Sequence, residues 1–131
     1  MVIRKIAGLI IKEKKFLAVK EEGLNILFTP GGTVEKFETP EETLRRELKE
    51  ELNVNLIAMK PFGTFKDRTH DLKDDLLLET YFASIRGSPQ PNSEIEKLFW
   101  VNSKFKDKEV ELSIPMKKYI IPKLLEMDLI E

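Results

Sequence analysis

The spacing of apolar residues changes several times along this chain, and each change marks an element. Val2 to Ile11 mixes Val, Ile and Leu with Ala7 and Gly8, and reads as a strand buried on at least one face. Lys12-Glu13-Lys14-Lys15 is a polar turn, and Phe16 to Lys20 returns as a short strand, so the two predict a hairpin. Glu21-Glu22-Gly23 breaks the chain, Asn25 to Phe28 resumes extended, and Pro30-Gly31-Gly32 stops it again.

The period then switches to that of a helix over Pro40 to Leu52. Leu44, Leu48 and Leu52 recur at i, i+4 and i+8, a narrow apolar stripe suited to docking on a sheet. Thr39 is a good N-cap, Pro40 suits the first helical position, and Glu41 and Glu42 stand at the positive end of the dipole. Glu42 follows Thr39 by three residues and completes a capping box. Asn53 falls at the position past the helix that wants a left-handed residue, where Asn is the second choice to Gly.

Val54 to Phe65 and Leu76 to Ile85 predict two further strands, with the charged segment Lys66–Asp75 between them. Pro61 puts the first of these at a sheet edge or a bulge. Residues 87–92, Gly-Ser-Pro-Gln-Pro-Asn, form a loop, and Leu98 to Val101 is a short strand holding the only Trp, Trp100. Ile114 to Met127 predicts a C-terminal helix that Pro122 should kink or interrupt. Strands, helix, strands, helix is the order of an α/β sandwich with a mixed sheet between helices.

Composition narrows the class. A chain of 131 residues suits one domain, here residues 1–131, with one sizeable core. The absence of cysteine excludes a disulfide scaffold, a zinc ribbon and a thiol enzyme. The apolar runs fall far short of the ~20 residues a membrane span needs, and no signal-peptide core precedes the first strand, so a soluble, cytoplasmic protein is expected. Lys and Arg total 22 against 23 Asp and Glu, which argues against a dedicated duplex-binding domain, since such domains carry a basic excess. No nucleic-acid or membrane partner is expected.

Near-cancellation of charge makes its placement the informative quantity. Glu47, Glu50 and Glu51 stand at i, i+3 and i+4, neighbours on one face of the predicted helix. Three carboxylates there repel one another unless a positive charge joins them. Arg46 is adjacent, and a hard divalent cation is the other candidate, because Mg²⁺ prefers carboxylate oxygens and keeps waters for substrate phosphates. A solvated acidic face is the plain alternative. Against it, Gly31-Gly32 lets backbone approach a ligand closely, and Glu38 lies just before the helix, within reach of its face.

Gly32, Glu38, Arg46-Glu47-Leu48, Glu50-Glu51 and the aliphatic Val54 resemble, position by position, the Nudix box G-x5-E-x7-R-E-U-x-E-E-x-G-U, U being aliphatic. Asn53 stands at the last Gly, and Phe37 where many members carry Gly before the Glu. The strand Ile26 to Thr29 running into Pro30-Gly31-Gly32 is similar to the family's, as is a later acid followed by Trp and an aliphatic, here Glu94 to Trp100-Val101.

The resemblance implies the Nudix fold, an α/β/α sandwich, and Mg²⁺-dependent hydrolysis of a nucleoside diphosphate linked to another group, with Mn²⁺ as a substitute ion. It implies Glu47 and Glu51 as principal metal ligands, Glu50 as ligand or base, and the Gly32 carbonyl completing the set. Arg46 would orient Glu47, Glu38 would support from behind, and the general base would be Glu50 or an acid after the loop, Glu94 or Glu96. Metal ions neutralise a diphosphate and lower the pKa of the attacking water, and a carboxylate takes its proton.

The partner implied is a small nucleotide, and family habit permits a homodimer. The region of Thr69-His70-Asp71 lacks the proline that marks many ADP-ribose hydrolases and the tyrosine typical of diadenosine polyphosphate hydrolases. The expected activity is therefore that of a MutT-like nucleoside triphosphate pyrophosphohydrolase, with ADP-ribose, NADH and nucleotide sugars as alternatives. A nucleotide-sensing module without turnover is the alternative of another class, and the intact helix acids argue against it. His70, the only histidine, reads as an exposed loop residue. Lys66 and Arg68 read as part of a solvated connection, with a phosphate contact as the functional alternative. Phe99 and Trp100 should face opposite ways.

Overall fold

Alternation along β1 (Val2–Leu9) divides the molecule. Ile6 and Ile10 join one buried cluster with Leu44, Leu48 and Leu52. Ala7 and Leu9 join another with Met116, Ile120 and Leu124. β3 (Lys15–Glu21) alternates in the same way, Leu17 and Val19 against Phe16 and Ala18. Period-2 residues with both faces apolar can be buried only between two covering layers, and the two helices supply them. The computed structural model describes residues 1–131 and has this α/β sandwich architecture.

Two mixed sheets form the middle, where one was expected. The first has the order β5 (Gly31–Thr33), β1, β7 (Asp75–Arg86), β6 (Asn55–Arg68), with β1 and β7 parallel and the other pairs antiparallel. In the second, β3 pairs β8 (Ile95–Val101) on one side. On its other side it pairs first β2 (Ile11–Lys12) and then β4 (Ile26–Phe28), which carries the parallel strand β9 (Glu111–Leu112).

Pro61 is at an edge and at a bulge together. β6 pairs only β7, and the register shifts between Pro61 and Gly63. The missing N–H of Pro61 therefore breaks no interior ladder. β6 and β7 also run further than their apolar residues suggested, taking in Lys66–Arg68, because cross-strand pairing continues after the core face ends. β8 likewise starts at Ile95, three residues before the expected Leu98, with Ile95 buried.

The helix α1 (Pro40–Leu52) has the predicted boundaries. Thr39 Oγ1 accepts from the Glu42 amide at 3.2 Å, and Glu42 Oε1 accepts from the Thr39 amide at 3.0 Å, closing the capping box. Leu44, Leu48 and Leu52 are fully buried. The C-terminal helix is interrupted as Pro122 requires. A π turn, Met116–Ile120, precedes α2 (Ile121–Glu126), and the Ile121 amide donates back five residues to the Met116 carbonyl.

Two positions that hold glycine in the motif's usual form keep a glycine-like backbone. Asn53 has φ 54° and ψ 42°, with its amide donating to the Leu48 and Lys49 carbonyls. Phe37 has φ 70°, and the residue is 90% exposed. A left-handed residue other than Gly costs about 1–2 kcal/mol, least for Asn. Asn53→Ala should therefore lose roughly 1 kcal/mol of stability in urea unfolding. Phe37→Gly should gain up to about 1 kcal/mol once the extra backbone entropy of Gly is set against the relieved strain.

Candidate active site

Antiparallel pairing with β1 sets Gly32 opposite Ile6 and Gly31 opposite Ala7, so the Gly-Gly pair lies beside the most buried strand of the first sheet. α1 docks on the same face. Its stripe buries Leu48 and Leu52, and the intervening turn points Glu47 and Glu51 back at the glycines. The Gly31 amide donates to Glu51 Oε1 at 2.8 Å. A Cβ on Gly32 would lie 2.4 Å from Glu47 Cδ and within 2.7 Å of both its oxygens, so the Glu47 carboxylate occupies the space a side chain would fill.

Arg46 fixes this arrangement from the solvent side. Its Nε and Nη2 donate to the two oxygens of Glu38 at 2.7 and 2.9 Å, Nη1 donates to Glu47 Oε1 at 2.5 Å, and Nη2 reaches the Thr33 carbonyl at 3.2 Å. A planar fork suits this bidentate contact better than an ammonium would. Glu38 also accepts from Thr43 Oγ1 and from the Glu35 amide, each at 2.9 Å. The Arg46 hydrogen bond, then the Glu35 amide, hold the Glu38 carboxyl down to about 2.

Glu51 is at the opposite extreme. It is 3% exposed, and burial pushes its carboxyl up to about 8, opposed by the Gly31 amide and reinforced by Glu47, Glu21 and Glu94. Burial raises Glu47 too, against the pull of Arg46. Glu21, Glu51 and Glu94 bring one carboxylate oxygen each within 4.8 Å of one another. Glu94, hydrogen-bonded by the Ser93 hydroxyl, is held below the ordinary carboxylate range.

Not every acid considered joins the cluster. Glu50 has a half-exposed side chain 3.6 Å from Arg46 Nη1. Glu96 turns outward on β8 and pairs with Lys20. Glu21 was not anticipated. It ends β3 where the ladder to β8 shifts register after Lys20, and that irregularity brings it into the site. In sequence it is one of two acids before a turn, with nothing to distinguish it from Glu22.

A cleft of about 840 Å³, counted with its open mouth, extends from Glu21, Glu51 and the two glycines to Phe28 and His70. His70 is exposed, as expected, yet it also forms part of this wall, its ring edge-on to Phe28 with centroids 5.6 Å apart. Arg68 lines the cleft as well, but its guanidinium donates to Asp75 and to the Leu72 carbonyl.

The NUDIX domain family model matches residues 2–111. The chain belongs to the Nudix family. It is thus a Nudix hydrolase, a pyrophosphohydrolase by class. Solved structures agree on the fold. A nudix hydrolase family member from Chromobacterium violaceum is similar over 97% of this chain and 79% of its own, with 20% identity and a TM-score of 0.75. MutT NUDIX hydrolase from Burkholderia pseudomallei is similar over 96% and 97%, with 19% identity and a TM-score of 0.73. A UDP-X diphosphatase shares the fold over 76% of this chain and 50% of its own, with 20% identity and a TM-score of 0.63. No curated protein matches the chain significantly in sequence. No helix of this Nudix chain is long and apolar enough to cross a membrane.

Proposed function

We propose that this Nudix chain, acting as one cytoplasmic domain over residues 1–131, is a Mg²⁺-dependent, MutT-like nucleoside triphosphate pyrophosphohydrolase. The observation that carries this reading is the convergence of Glu47, Glu51, Glu21 and Glu94 at Gly31-Gly32, with Arg46 paired to Glu47. Glu51 is buried among these acids, and desolvation, reinforced by the charges of Glu47, Glu21 and Glu94, raises its carboxyl to about 8. An all-oxygen donor set with surplus negative charge fits a hard dication and offers nothing to a soft one.

Glu47 and Glu51 would hold the ion, with the Gly32 carbonyl, and with Glu21, Glu94 and Glu50 available at the margin. When bound, the ion neutralises the diphosphate and acidifies a coordinated water. Arg46 locks the Glu47 rotamer through Glu38, and the Gly31 amide orients Glu51. Glu94 is the better choice than Glu50 for the base, because its carboxylate lies in the cluster with Glu51 and Glu21 and is held in the ionised form by the Ser93 hydroxyl. The neighbouring open cleft, lined by Phe28, His70, Lys5 and the two glycines, is where the rest of a nucleotide would lie.

The test is a panel of nucleoside triphosphates, ADP-ribose, NADH and nucleotide sugars with Mg²⁺ or Mn²⁺, and identification of products. Pyrophosphate and nucleoside monophosphate from a triphosphate are expected. Cleavage confined to nucleotide sugars or dinucleotides would transfer the reading to those substrates. Release of neither phosphate nor pyrophosphate from any compound would refute hydrolysis.

A further inference from the structure

The cleft beyond the acids contains one cation whose charge nothing in the fold uses. Arg4 is paired with Glu79, Lys20 with Glu96 and Arg68 with Asp75. Lys5, on β1 between the Glu79-paired Arg4 and the buried Ile6, enters no ion pair and is half-buried. It lines the cleft, and its Nζ lies 5.9 Å from the centroid of the Phe28 ring, over the face. Phe28 in turn meets the edge of His70. The far end of the cleft is therefore an aromatic wall with a spare, donor-only group beside it.

A half-buried ammonium without an acceptor is unfavourable, and a contact with a ring at this distance recovers only part of what water supplied. Such a group is poised for an acceptor brought by a ligand. A flat ring packed on Phe28 and His70 would place its edge against Lys5. Lysine offers three donors and no acceptor. It can therefore satisfy the O6 and N7 of guanine or the O4 of a uracil-type base, and it opposes the amino group that adenine and cytosine carry at the corresponding position.

We infer that Lys5 is the specificity-determining residue of the cleft, selecting nucleotides whose base is a keto base packed against Phe28 and His70. This deepens the hydrolase reading and rests on it for the orientation of the phosphates toward Glu51. Recognition itself is read without turnover, so the two can fail separately.

The test is calorimetric binding of GMP, UMP, AMP and CMP to the intact protein and to Lys5→Met, Lys5→Arg and Phe28→Ala, with thermal melts to establish that each variant is folded. Wild type should prefer GMP and UMP over AMP and CMP by roughly tenfold, the order expected for one charged hydrogen bond to a base. Lys5→Met should bring GMP and UMP to the level of the amino bases while leaving AMP and CMP unchanged. Lys5→Arg restores donors and should keep the preference, and Phe28→Ala should weaken all four alike.

An equal loss of all four ligands in Lys5→Met would put Lys5 on the phosphate and overturn the inference. So would wild-type protein with no preference or with preference for the amino bases. A protein that turned over no nucleotide yet kept the Lys5-dependent preference would remove the hydrolase reading and leave this one standing.

Discussion

Glu51→Gln should lower turnover roughly a thousandfold while leaving the protein folded, because it removes one ligand charge and almost no volume. The substitution also has a sign in stability that a generic surface acid would not give. Burial lifts the Glu51 carboxyl from an ordinary 4.5 to about 8 in the folded chain. Between those two pH values the folded state holds more protons than the unfolded state. Stability of the metal-free protein must therefore fall as pH rises through that window, and the loss is complete above the folded value.

The full effect is on the order of several kcal/mol, since each unit of pKa is worth about 1.4 kcal/mol. Glutamine does not titrate, so the variant should have a flatter profile and melt higher than wild type near pH 8 in chelator. Mg²⁺ should then raise the melting temperature of wild type at pH 8 and do little for the variant, because binding to the folded state alone stabilises it. Thermal melts at pH 5, 6.5 and 8, with chelator or Mg²⁺, give all these comparisons. Normal turnover in Glu51→Gln would sink the metal assignment. A wild-type stability profile without the decline would contradict the buried, raised carboxyl.

The adjacent glycines should separate activity from folding. In Gly32→Ala the atoms nearest the new methyl would be the carboxylate end of Glu47, at 2.4–2.7 Å. Unlike backbone, that end can swing away once its hydrogen bond to Arg46 breaks, so the chain should fold with only a small loss of melting temperature. The carboxylate, however, must leave its place beside Arg46, and a loss of turnover of about a hundredfold or more is expected, comparable to the loss of one preorganised group.

In Gly31→Ala the methyl would fall 2.0 Å from the Ile6 carbonyl oxygen and 2.7 Å from Ala7 Cα, at φ 150°. Those atoms belong to a central strand and cannot move independently of it. Destabilisation of about 3 kcal/mol or more, or failure to accumulate folded protein, should follow. Steady-state kinetics and urea unfolding on both variants test the contrast. Equal behaviour of the two would mean that Glu47 is not held over Gly32 as described.

Much of this site is legible in the sequence because its signals are local. The Thr39–Glu42 box, Pro40 and the Leu44, Leu48, Leu52 stripe specify a helix from residues within a few turns of one another. A helix of known ends also puts Glu47, Glu50 and Glu51 within reach of one another with Arg46 beside them and Glu38 just ahead, while the choice of Glu47 and Glu51 as ligands comes from the resemblance to the Nudix box. The match of spaced residues to the Nudix box added a family to that local reading, and the domain match over residues 2–111 bears the family out.

What the sequence left unread depends on strand pairing over long separations. Glu21 and Glu94 meet Glu51 only because β3 and β8 pair with a register shift at Lys20 and Glu21. Nothing within a few residues of either acid encodes that meeting. Glu50 lies further round the helix from the Leu44, Leu48, Leu52 stripe than Glu47 and Glu51 do, and it is half exposed. Lys5 and His70 lie on β1 and on the connection after β6, and only the stacking of the two sheets brings both to Phe28.

The division between the two sources of information is therefore physical. Capping, helical phase, turn chemistry and the exclusion of thiol chemistry are short-range or compositional, and the sequence by itself determined them. The number of sheets, the extra acids and the ionisation of Glu51 are set by which distant segments exclude water from one another. So is the lysine left without a partner in the cleft. Burial and register are properties of the assembled chain, and only the tertiary structure decided them.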